Sequence, residues 1–92
     1  MGIREKRVRT LVRHLTPAKV AKETGMEKPR WGTVAHNLKV KIRLEDLDAL
    51  IEAFPEYELW LWKGEVDPAK GQISPAYVET DLKLAEPEAG SR

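Results

Sequence analysis

Proline and glycine punctuate this chain so often that only short helices fit between them. In "TPAKVAKETG", Thr16 to Gly25, a hydroxyl side chain stands before a proline, as at the opening of a helix. Thr16 can cap the first turn, and Pro17 lacks the N–H that this turn would leave unpaired. Gly25 supplies the left-handed conformation that ends a helix. Similar marks recur: Pro29 reopens a helix, Pro55 stops one, and Gly64 closes the next.

Between these marks, apolar residues repeat at helical spacing. From Arg4 to Leu15 the inner face is Val8, Leu11, Val12 and Leu15, and the opposite face carries Arg4, Lys6, Arg9 and Arg13. Pro17 to Thr24 turns Val20 and Ala21 inward. The helix from Pro29 to about Asn37 pairs Trp31 with Val34, which makes Trp31 a core residue rather than a base-stacking one. Gly32 weakens that helix by about 1 kcal/mol relative to alanine, which points to a close backbone approach or a marginal helix. Leu44 to Phe54 repeats Leu44, Leu47, Leu50, Ile51 and Phe54, with Glu45, Asp46 and Asp48 where the helix dipole favours acids. Tyr57 to Trp62 forms a short fifth helix, Trp60 and Leu61 closing the core.

Residues 65–92 contain three prolines, two glycines and several acids. They read as an extended arm with room for one short helix over Pro75 to Ala85 and a frayed, disordered end. No segment alternates as a strand does. The expected architecture is therefore all-α, with five helices in residues 1–64 and a C-terminal arm in residues 65–92.

Charge is distributed unevenly. The formal net charge is +1, but Met1 to Arg43 holds 12 Lys and Arg against 3 acids, and Leu44 to Arg92 holds 4 against 12. A basic half of this kind suits a polyanion. With 41% hydrophobic and 34% charged residues, the chain has the composition of a soluble globular protein, expected in the cytoplasm. No apolar run approaches the ~20 residues of a membrane span, the basic N-terminus has no secretory pattern behind it, and cysteine is absent.

Catalytic chemistry finds no purchase. His14 and His36 stand apart from any ligand set and read as surface or phosphate-facing groups. Glu45, Asp46, Asp48 and Glu52 are explained by helix-start electrostatics, and Ser74 and Ser91 have no base beside them. No enzyme activity, metal, cofactor or small-molecule substrate is expected.

The unit around Gly25 has the spacing of a helix-turn-helix. A small residue, Ala21, stands four before the glycine, Met26 follows it, and Trp31 and Val34 lie six and nine after. On "PAKVAKETGM", "LEDLDALIEAFPEY" and "YELWLWKGE", the chain resembles the lambda-repressor-like (Cro/CI, XRE-type) DNA-binding domains from Arg4 to about Glu65. The ending is similar to the "WLLTGE" of many phage and prophage repressors, and "GQISP" to their linkers. The sequence departs from the family in opening its recognition helix with "EKPR" and in placing Ala35 where a glutamate is common.

The resemblance implies a homodimeric repressor on an inverted-repeat operator in double-stranded DNA. Lys28, Pro29 and Thr33 would face base edges. Thr16, Ala18, Arg30, His36, Lys39, Lys41 and Arg43 would lie along the phosphate backbone. Lys6, Arg7, Arg9 and Arg13 are either solvated or graze that backbone. Surplus apolar residues beyond the fifth helix, Trp62, Val66, Ile73, Tyr77, Val78 and Leu82, would form the dimer contact. The alternative is an antitoxin-like regulator or an adaptor whose acidic C-terminal half binds a protein partner.

Overall fold

The computed structural model describes residues 2–85, with 81–85 given by backbone alone. Six helices follow in order: α1 Ile3–Leu15, α2 Pro17–Thr24, α3 Lys28–His36, α4 Leu44–Ala53, α5 Glu58–Lys63 and α6 Pro75–Ala85. Single 3-10 turns at Pro55–Tyr57 and Pro68–Lys70 make the corners. The described residues are all-α, with one isolated antiparallel bridge between Asp67 and Gln72.

The helices begin and end where local chemistry directs. The Gly2 amide donates to the Glu5 carboxylate (3.0 Å) at the start of α1. Thr16 alone joins α1 to α2, and its hydroxyl accepts from the Lys19 amide (3.3 Å). Its φ of +79° is an unusual conformation for a β-branched residue, imposed by reversing the chain in a single step. At the other end of α2, Gly25 takes φ +77° and its amide returns to the Ala21 carbonyl (2.9 Å).

One hydroxyl then sets the turn into α3. Thr24 Oγ1 donates to the Val20 carbonyl (2.7 Å) and accepts from the Trp31 indole N–H (3.1 Å) and the Met26 amide (3.3 Å). Trp31 is fully buried, so a missing partner for its N–H would cost about 1–3 kcal/mol. The angle between α2 and α3 is thus fixed by packing and by a polar anchor together.

The core gathers Val8, Leu11 and Val12 from α1, Val20 from α2, and Trp31, Val34 and Ala35 from α3. Leu47, Leu50, Phe54, Tyr57 and Leu61 complete it. Most of these follow the helical spacing read from the sequence. Trp60 and Trp62 are half-buried against it.

Arg9 departs from expectation. Instead of facing solvent on α1, it is only 2% exposed. Its Nη1 donates to the carbonyls of Val34 and Asn37 (both 2.8 Å), and its Nη2 donates to Val40. Arg13 adds Nη1 to the Ala35 carbonyl (2.8 Å). The last carbonyls of a helix have no internal partner and carry partial negative charge, so two cations settle there. Arg7 does the same for α5, donating to the Leu61 carbonyl (3.3 Å).

The expected extended arm is instead folded back as part of the body. Gln72 accepts from the Leu59 amide (2.9 Å) and donates to the Pro55 carbonyl (3.1 Å), so its side chain caps an α5 start that has no cap of its own. The Ile73 amide donates to the Glu56 carbonyl (2.9 Å), and Ile73 packs on the core. Ser74 caps α6 through the Tyr77 amide (3.0 Å), and His14 on α1 meets Glu79 on α6 at 3.7 Å. The expected short helix at Pro75 to Ala85 is α6. The frayed end expected beyond it lies outside the described residues.

Candidate nucleic-acid interface

α3 is held from behind and open in front. Trp31, Val34 and Ala35 fasten its inner face to the core, and Arg9 and Arg13 fasten its C-terminal end. Its N-terminal half is tied to α4 through Arg30 and Asp46. Arg30 Nε donates to Asp46 Oδ1 (3.2 Å) and Nη2 to Oδ2, while Oδ2 also accepts from the Arg43 amide (2.8 Å). Asp46 is fully buried. It is the anchor between two helices, more than the helix-start charge that its sequence position suggested.

The outer face of α3 meets solvent as a shallow groove of about 600 Å³. Pro29, Gly32, Thr33 and His36 line it, continued by Asn37, Leu38 and Lys39 after the helix ends. The fold thus brings together Pro29 and Thr33, expected at base edges, with His36 and Lys39, expected at phosphates. Lys28 is exposed at the first residue of α3, and Lys41 is exposed on the loop beyond Lys39. Thr16 and Ala18 are exposed where α2 begins.

Two expected phosphate contacts are differently engaged. The Arg30 guanidinium is committed to Asp46. Arg43 leans toward the start of α4, with Nη1 at 3.1 Å from Glu45 Oε1 and Nε at 3.8 Å from Asp46 Oδ2. The basic first half thus holds cations of both kinds. Arg7, Arg9, Arg13 and Arg30 bind groups within the chain, and the lysines Lys28, Lys39 and Lys41 stay exposed.

Two members of the groove were missed from sequence. Gly32 is expected from sequence to mark a close backbone approach or a marginal helix, and a Cβ built there meets nothing within 4 Å of the chain itself. Leu38 was unassigned and is 62% exposed. The available signal was position: Gly32 follows Pro29 by three and precedes His36 by four, which puts all three on one helical face.

Of the residues expected at a dimer contact, Val66 and Tyr77 are exposed and Val78 is half-buried. Ile73 and Trp62 are drawn toward the core, and the Arg4 guanidinium lies 5.1 Å over the Trp62 ring. The Leu82 side chain lies outside the described residues. Trp62 also borders a second groove with Glu58, Leu59, Lys63, Asp67, Lys70 and Gln72. Among the described residues, no three His, Cys, Asp or Glu side chains are grouped as a metal would need. No described helix is long and apolar enough to cross a membrane.

Fold and surface together define a small all-α protein that presents one short, firmly anchored helix beside exposed lysines. As a whole it is similar to Pf6r from the filamentous phage Pf6 of Pseudomonas aeruginosa PA01. The two share 33% identity and superpose with a TM-score of 0.74, over 89% of this chain and 96% of that one. The chain belongs to the family of this phage protein. No protein-family model matches the sequence, and neither does any curated protein.

Proposed function

We propose that the chain is a sequence-specific DNA-binding regulator, a Cro-type phage or prophage repressor that acts without catalysis. In this reading α2 and α3 are a lambda-repressor-like helix-turn-helix, and α3 enters the major groove. The observation that carries it is the outer face of α3, open to solvent at Pro29 and His36 with Gly32 and Thr33 half-buried between them, while its inner face and both ends are fastened. A helix held this way presents fixed geometry to a rigid ligand. Exposed Lys28, Lys39 and Lys41 supply the cations that a phosphate backbone requires. The relationship to a filamentous-phage protein supports the phage setting.

One such domain covers one half-site, so an inverted repeat calls for two copies with their α3 helices about 34 Å apart. The proposed pairing surface lies from α5 onward, where Val66 and Tyr77 expose apolar area.

The test is a salt titration of duplex binding by fluorescence anisotropy. Affinity should fall steeply with salt, and Lys41→Ala should lower the logarithmic slope by about 1 for all duplexes alike. Lys28→Ala should instead relax base preference at one position per half-site, costing about 1–3 kcal/mol on the preferred duplex. A salt-independent affinity would reject the DNA reading in favour of a protein partner.

A further inference from the structure

Gly32 has no explanation within the chain. It lies inside α3 without a positive φ, and a Cβ added there would meet nothing within 4 Å. Glycine weakens a helix interior relative to alanine, so its presence disfavours α3 with no compensating turn or internal packing.

What surrounds it is short of hydrogen-bonding groups. Pro29 carries no donor. The Thr33 hydroxyl is already donated to the Pro29 carbonyl (3.0 Å), which leaves its methyl as the unengaged end of the side chain. Asn37 Oδ1 accepts from the Lys39 amide (3.0 Å), which leaves the Asn37 Nδ2 and the exposed His36 ring as polar groups at the C-terminal end of α3. Leu38 is mostly exposed. The groove lining is accordingly mainly apolar. A face built to read bases by paired hydrogen bonds would place amides or guanidinium groups here, and the middle of this one has neither.

The apolar group that a duplex offers in its major groove is the 5-methyl of thymine. Resting on the DNA-binding reading above, we infer that Gly32 is a close-approach point at which α3 reads thymine methyl groups, walled by Pro29, Thr33 and Leu38. The occupant is duplex DNA because exposed cations stand at both ends of this apolar strip, Lys28 before it and Lys39 after it. Gly32 is then a specificity-determining residue through what it lacks. Any side chain there would fill the space that the methyl enters.

The experiment begins with binding-site selection from random duplexes using the full chain. Each thymine of the selected site is then replaced by deoxyuridine, which removes the methyl and nothing else. Binding should weaken about fourfold at one or two positions per half-site, the effect of one buried methyl, and hold elsewhere. Gly32→Ala should raise the melting temperature while weakening binding to the selected site. It should also shrink the deoxyuridine penalty at those same positions.

Uridine duplexes that bind like the parent at every position would overturn methyl reading and leave DNA binding standing. A Gly32→Ala protein that melts lower would show the glycine to be structural and overturn its assignment. If no sequence is selected at all, both this inference and the reading beneath it fall.

Discussion

Arg9 aims two nitrogens at three carbonyls where α3 ends, from a position that is almost wholly buried. Arg9→Met would keep the aliphatic packing and orphan those acceptors. The buried Val34 carbonyl costs about 1–3 kcal/mol without a donor, and the part-buried Asn37 and Val40 carbonyls cost less. The expected loss in urea unfolding is roughly 2–4 kcal/mol, and Arg9→Lys should recover only part, since one ammonium cannot reach three separate carbonyls. Nothing in the sequence pattern marks this role. A charged residue beside an apolar stripe reads as solvated, and its partners here are backbone groups 25–31 residues away. Asp46 was hidden for a related reason: its local role as a helix-start acid is genuine, and its burial by Arg30 is a long-range fact. Tyr57 provides a titration at the same scale. Burial, and secondarily the Glu56 charge, raise its pKa above the ordinary 10.0. The folded state therefore favours the neutral phenol, and its contribution is complete below the unfolded pKa. As pH rises past about 10 the unfolded chain ionises first, so stability should fall there, and Tyr57→Phe should flatten that limb of a stability-versus-pH curve.

At the scale of elements, two glycines with nearly equal backbone angles should respond differently to the same substitution. Gly25 (φ +77°) and Gly64 (φ +74°) both end helices in the left-handed region, where alanine costs about 1–2 kcal/mol. Beyond that, a Cβ at Gly25 meets open space, whereas one at Gly64 would lie 2.6 Å from Arg7 Nη2. Arg7 must then shift from the Leu61 carbonyl that it caps. Gly64→Ala should accordingly lower thermal stability further than Gly25→Ala, and the gap should close in an Arg7→Met background. The helices themselves were largely legible. α2 has the anticipated bounds because proline and glycine mark them chemically, and the helix expected in the tail opens at Pro75 as anticipated. The others shifted by a residue or so, where ends are set by packing. The groove on α3 was legible in part: Pro29, Thr33, His36 and Lys39 were assigned to it, and Gly32 was not, because a missing side chain gives no sign of which way the open space faces.

For the whole molecule, the tail is the element whose role changed most. An arm set apart for pairing could be removed without loss to the body, but Gln72 and Ile73 are bonded to the corner at residues 55–59. Truncation after Glu65 should lower the melting temperature by several degrees, the consequence of losing about 1–2 kcal/mol in a small domain. Analytical ultracentrifugation of the full chain and the truncated form would then separate stability from assembly: the proposed pairing predicts a dimer for the first and a monomer for the second. The polar anchor at Thr24 also has an optical consequence. Trp31 is fully buried with its indole bonded to that hydroxyl, while Trp60 and Trp62 are half-buried. Replacing the latter two with phenylalanine would leave a single emitter seated at the junction of α2 and α3. Its colour and lifetime would follow that junction alone, so ligand docking to a preformed helix pair would leave the spectrum still, and a hinge movement would shift it.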